Sequence, residues 1–177
     1  MRRITALLLA GLAALTLTGC RRGPGLLPYA REIEDMELMQ TLGVDRAGEG
    51  QVEVTASSGS GDPAEGAATV VSGQAGTISA AVLGMQGEGS SYLYFGHVGQ
   101  LLLGEELALD YILRDVEPRL DTALYLVRGG TAGKAITAAG EDGSAADRLE
   151  ALAEDAGLLA GSMPRTVKDA LSDLYAQ

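Results

Sequence analysis

A chain of 177 residues with 46% apolar and 21% charged residues is one ordinary domain, or one and a fraction. Its single Cys excludes internal disulfides and thiolate zinc sites. Its formal net charge of −11, with only 2 Lys and 11 Arg and no basic cluster beyond Arg21–Arg22, argues against a nucleic-acid partner, because phosphate recognition needs gathered cations. Aromatic residues make up 4% of the chain, so the core must be built from Leu, Val, Ile and Ala.

Residues 1–19 have the layout of an export signal. Met1-Arg2-Arg3 is a positive start, Ile4 to Leu17 is an apolar run of Leu and Ala, and Leu17-Thr18-Gly19-Cys20 follows at once. The run is shorter than the roughly 20 residues that a membrane span needs. It is therefore a bacterial lipoprotein signal peptide, in which Leu17, Thr18 and Gly19 are read by the signal peptidase and Cys20 receives the lipid. A buried free cysteine at the end of a core helix is the competing reading, and the position of the chain's one Cys speaks against it. Two acyl chains, at about 0.8 kcal/mol per buried methylene, hold a protein stably on a membrane. The mature protein is expected to be anchored outside the cytoplasm through Cys20. Residues 20–30, with Gly23, Pro24, Gly25 and Pro28, read as a tether.

Regular structure is expected from residue 31. Met36 to Val44 is apolar and extended towards its end, and Asp45 to Gly50 reads as a polar, Gly-rich turn. Gln51 to Ala56 alternates with period two and should pair back as an antiparallel hairpin. Ser57 to Gly66 is a loop. A β-prone piece, Thr69 to Ser72, precedes Thr77, a helix cap, and the stripe Ile78, Ala81, Val82 and Met85. Tyr92 to Phe95 and Val98 to Leu103 read as strands bent around Gly96-His97. Glu105-Glu106 opens and Arg114 closes a helix, in the charge order that its dipole favours. Leu120 to Val127 is a strand, leading through Gly129-Gly130 to a short helix near Ala132 to Ala139. Ser144 to Asp147 has capping-box spacing before a stripe of Leu149, Leu152, Ala153 and Ala156. Thr166 to Asp169 repeats that spacing before Val167, Leu171, Leu174 and Tyr175. These elements make an α+β fold, a mixed β-sheet with helices packed against it, behind the signal peptide.

Familiar catalytic chemistry is missing from the pattern. Arg128-Gly129-Gly130-Thr131-Ala132-Gly133-Lys134-Ala135 approaches a phosphate loop, but that motif needs Gly in place of Arg128 and Ser or Thr in place of Ala135. His97 is the only histidine, and no nucleophile-elbow motif accompanies it. It is expected at a strand bend with its ring bonded to nearby backbone. The clustered acids Glu32, Glu34, Asp35 and Glu37, like Glu105-Glu106 and Glu141-Asp142, lack the aromatic cleft of a glycosidase and read as solvated. No metal site, cofactor or catalytic residue is expected.

Three stretches, in order, resemble the Ger(x)C family, the lipoprotein C subunits of spore-germination nutrient receptors. Arg31-Glu32-Ile33-Glu34-Asp35 running to Leu42-Gly43-Val44-Asp45 is similar to the family's opening. Leu93-Tyr94-Phe95-Gly96-His97 with Leu103-Gly104-Glu105-Glu106-Leu107-Ala108 is similar to its centre. Leu113-Arg114-Asp115-Val116-Glu117-Pro118-Arg119 is like the segment before a strand. The resemblance covers roughly residues 17–140 and, more loosely, the helix after Thr166. Arg21-Arg22-Gly23 departs from it, standing where the family usually has an aromatic residue.

The resemblance implies a mixed domain with no known catalytic activity and no cofactor. It would be lipid-anchored on the outer face of the inner spore membrane, beside membrane-embedded A-type and B-type subunits, and would act in receptor assembly and signal coupling. Residues 31–160 would be the N-terminal germination domain, and 161–177 the start of a further helical region that this chain cuts short. Gly96 and His97 shape a bend, while Arg114, Asp115 and Arg119 are either a local ion-pair network or a partner contact. The alternative function is an extracytoplasmic solute-binding lipoprotein.

Overall fold

A computed structural model describes residues 33–59, 68–87, 91–104, 119–141, 143–158 and 165–176. The signal peptide, Cys20, the tether and the expected helix from Glu105 to Arg114 lie outside these described residues.

A short 3-10 turn, Ile33–Asp35, leads into β1, Met36–Gly48. Strand β2, Gln51–Ser58, returns antiparallel, with Val44 opposite Val54 and Gly48 opposite Gln51. The hairpin expected from the alternation is therefore present, but its turn is only Glu49-Gly50. Asp45 to Gly48, expected in that turn, continue the strand, and Gly48 and Gly50 supply the positive φ values of +143° and +68° that the tight reversal requires. Strand β3, Val70–Ala75, pairs antiparallel with β2. Helix α1, Ile78–Met85, follows, and the Thr77 hydroxyl accepts the Ala80 N–H.

The chain then returns to the other side of β1. Strand β4, Tyr92–Tyr94, pairs in parallel with Met36 to Leu38, and β5, Gln100–Gly104, pairs in parallel with Thr41 to Val44. Strand β6, Ala123–Val127, adds in parallel to β5. It starts three residues later than the expected Leu120, because Arg119 to Thr122 forms a turn closed by the Thr122 N–H on the Arg119 carbonyl. Helix α2, Ala132–Gly140, helix α3, Ala145–Leu158, strand β7, Arg165–Thr166, and helix α4, Val167–Tyr175, complete the described elements. The strand order is β3-β2-β1-β5-β6-β7, with β4 beside the start of β1.

The result is a mixed α+β architecture with helices on both faces of the sheet. Alternation along the strands sends Val44, Val54, Leu101 and Leu103 to one face, where α1 and the Val167 and Leu171 side chains of α4 cover them. Leu102, Tyr125 and Val127 point to the opposite face, under Ala132 and Ile136 of α2 and Ala145 and Leu149 of α3. Each fully buried Leu or Ile contributes about 1.5–3 kcal/mol. The expected α3 stripe is narrower than its period implied: Leu149 is buried, but Leu152 is 58% exposed.

Residues 34–177 form one compact unit. Within it, residues 165–175, expected to open a further region, supply β7 and α4. Strand β7 pairs with β6, and the Val167 and Lys168 N–H groups donate to the Thr122 and Leu120 carbonyls. The Thr166–Asp169 capping box is complete, each residue bonding the other's backbone N–H.

Candidate functional site

The described site with the most converging polar groups lies where the N-terminus of α2 meets β1. Asp45 is only 3% exposed. Its Oδ1 accepts the Ala132 N–H at 2.7 Å and its Oδ2 the Gly133 N–H at 2.8 Å. The Thr131 hydroxyl accepts the next donor, the Lys134 N–H, at 3.2 Å. The first three N–H groups of α2, which have no partner inside the helix, are thus all satisfied. A carboxylate at this end is also favoured by the helix dipole. Two glycines make the fit possible: a Cβ on Gly104 would land on Asp45 Oδ1, and one on Gly133 would meet Thr55 Oγ1 at 2.7 Å.

This geometry gives the physical reason that Arg128 to Ala135 does not serve as a phosphate loop. The anion position at the helix N-terminus is filled by the protein's own carboxylate. The sequence reading put Asp45 in a turn and missed this role. The signal was present: an acid directly after the apolar Leu42-Gly43-Val44, and a Gly-rich helix start lacking an anion.

A second contact was also missed. The Gln86 carboxamide grips both backbone groups of Leu93, accepting its N–H at 3.0 Å and donating to its carbonyl. This ties the end of α1 to β4. Past β4 the chain steps outward from β1 and back, with the Val98 N–H on the Phe95 carbonyl and the Gly99 N–H on the Gln40 carbonyl. Gly96 and His97 form this step. A Cβ on Gly96 would strike the ring and hydroxyl of Tyr94 unless that exposed side chain moved aside. His97 is exposed, and its ring meets Tyr94 edge-on with centroids 5.8 Å apart. The contact is with a ring, not with the neighbouring backbone as expected, and no nucleophile or carboxylate bonds to His97 among the described residues.

Arg119 pairs with Asp121 through two hydrogen bonds at 3.1 and 2.9 Å, with both side chains more than half exposed. Hydrogen bonding from Arg119 holds the Asp121 carboxyl below its usual range. Arg114 and Asp115 lie outside the described residues. Cys20, Leu17, Thr18 and Gly19 do as well. Among the described residues no group of three or more His, Cys, Asp or Glu is placed to hold a metal ion.

Beside α2 a groove of about 450 Å³ runs between the helix and β2–β3, lined among others by Glu53, Thr55, Val70, Ser72, Lys134 and Glu141. Its walls mix the charged Glu53, Lys134 and Glu141 with Thr, Val and Ala side chains.

The family model described as the spore germination protein N-terminal domain matches residues 29–177. The chain belongs to that family. No curated protein and no solved structure matches the chain. Membership gives the chain a germination-related role. Two of the stretches that carried the resemblance now have positions in the germination domain: Leu42 to Asp45 ends on the carboxylate that holds α2, and Leu93 to His97 makes the step between β4 and β5. The match runs on through β7 and α4.

Proposed function

We propose that this germination protein is a lipid-anchored, non-catalytic subunit of a spore-germination nutrient receptor, acting in receptor assembly and signal coupling. The observation that carries the reading is the order of two features: the lipobox Leu17-Thr18-Gly19-Cys20 stands directly before a germination domain matched over residues 29–177. The domain would hang from Cys20 on the outer face of the inner spore membrane, beside the A-type and B-type membrane-embedded subunits. Two acyl chains on Cys20 would be a sufficient attachment. The buried acid Asp45 holds a helix in place, which fits a scaffold.

The test is fractionation of Cys20→Ala. The variant is expected to leave the membrane fraction with its fold intact, and to lose co-purification with the membrane-embedded subunits. Retention in the membrane would overturn the anchor. Failure of the unchanged protein to co-purify with those subunits would overturn the receptor role.

The groove beside α2 favours a second reading, an extracytoplasmic solute-binding lipoprotein. Saturable binding of a small polar solute, lost in Lys134→Ala, would support it.

A further inference from the structure

From Gly66 to Gly87 the sequence contains no Asp, Glu, Lys, Arg or His, and no aromatic residue. At the chain's average of 21% charged residues, a stretch of this length would carry four or five charges. Its described residues, 68–87, are not a buried segment in the fold. They supply β3, at one end of the sheet order, and α1, which packs on β3. Val70 is 38% exposed and Leu83 71% exposed, and Ser72, Gln74 and Ala80 are exposed as well. Among the described residues, a net-acidic protein thus presents an uncharged strand edge and an uncharged helix side by side.

Edge strands are normally protected by Lys, Pro, a bulge or extreme shortness. The opposite end of the sheet has such protection, because β7 is two residues long. Strand β3 has none of these: it runs six residues, contains no Pro or charge, and pairs with β2 without a register shift. The Ser58 N–H donates to the Thr69 carbonyl. Alternation along an antiparallel ladder then turns the backbone groups of Val71, Gly73 and Ala75 towards β2, and those of Val70, Ser72 and Gln74 outward.

We propose that this edge joins two copies of the chain, with β3 pairing antiparallel to β3 of the second copy about a two-fold axis at Gly73. That register sets Ser72 opposite Gln74 on the face of α2, and Val71 opposite Ala75 on the face of α1. Polar meets polar and small apolar meets small apolar, with the outward N–H and C=O groups of Ser72 and Gln74 exchanging hydrogen bonds across the axis. Charge selects the occupant. Two copies of a protein with net charge −11 approach most easily where neither carries a charge, and depletion of charge marks the centre of interfaces. A membrane surface is disfavoured, since the patch lacks the Lys, Arg, Trp and Tyr that gather at lipid headgroups. The proposal does not depend on the receptor reading.

Sedimentation equilibrium of the full chain in detergent tests it, alongside the double variant Ser72→Lys/Gln74→Lys. The unchanged chain is expected to be a dimer and the lysine variant a monomer, at least about tenfold weaker in association, with unchanged circular dichroism and melting temperature. In a Cys20→Ser background, Ser72→Cys chains mixed with Gln74→Cys chains should form a mixed disulfide, as paired strand positions allow, and neither variant alone should do so efficiently. A monomeric unchanged chain at about 100 μM, a dimer indifferent to the lysines, or absence of the mixed disulfide would each overturn the proposal. If the unchanged chain is monomeric but the lysines abolish its capture by receptor membranes, the edge belongs to another protein's strand, and the two-copy proposal falls.

Discussion

The Asp45 carboxylate and the Ala132 backbone N–H, 87 residues apart in sequence, are joined by a 2.7 Å hydrogen bond in the interior. With the companion bond from Gly133, this fixes α2 end-on against β1 and sets one wall of the groove beside β2 and β3. Removing the carboxylate leaves two N–H groups with no protein acceptor. Asp45→Ala should therefore cost about 2–4 kcal/mol, and Asp45→Asn, which keeps one acceptor oxygen, about half of that. Urea unfolding checks this through the midpoint at constant slope. A loss below about 0.5 kcal/mol for the alanine variant would mean that α2 is held by packing alone.

Gly104 touches the same carboxylate. Gly104→Ala puts a methyl where Oδ1 lies and should destabilise by about 1–3 kcal/mol. Because the damage acts through Asp45, the double variant Asp45→Ala/Gly104→Ala should lose less than the sum of the two single losses. Strict additivity in a double-mutant cycle would show that Gly104 matters for some other reason.

Gln86 holds β4 by two bonds to one residue, Leu93. Gln86→Leu keeps the bulk but leaves both backbone groups without this partner, at about 1–2 kcal/mol. The loss should be local. Hydrogen exchange should quicken at Leu93 and its neighbours in β4, while the amides of α2 keep their protection. Uniform acceleration across the domain would contradict a local clamp.

Tyr125 donates its hydroxyl to the Leu149 carbonyl at 3.2 Å. Burial, and secondarily the nearby Glu150 charge, raise its ionisation above the ordinary tyrosine value. A raised value favours the neutral phenol in the folded state. The stabilisation is complete below the unfolded value of about 10 and is lost as pH rises through the folded one. Phenolate absorbance should show Tyr125 titrating late, as a step that Tyr125→Phe removes together with its share of the alkaline fall in stability. A Tyr125 step at the ordinary tyrosine value of about 10 would refute the burial argument.

Local signals in the sequence proved sufficient wherever an element is set by its own neighbours. The alternation of Gln51 to Ala56 is strand β2, the stripe of Ile78, Ala81, Val82 and Met85 is the inner face of α1, and Thr77 and Thr166 cap the helices that follow them. The bend at Gly96-His97 was legible too, because a break between two β-prone runs is a local property. The family was legible from short motifs in order.

The tertiary structure decided what depends on distant partners. Asp45 looks like a turn residue beside Gly48 and Gly50, and only the arrival of α2 gives its carboxylate two donors and keeps it in a strand. Leu152 has the spacing of a core residue, yet α3 meets the sheet through Leu149 and leaves Leu152 in solvent. The charge-free run from Gly66 to Gly87 is plain in the sequence. That its strand lies at the sheet's end was decided by the strand order, since pattern and propensity act over a few residues and strand neighbours are chosen across the whole chain.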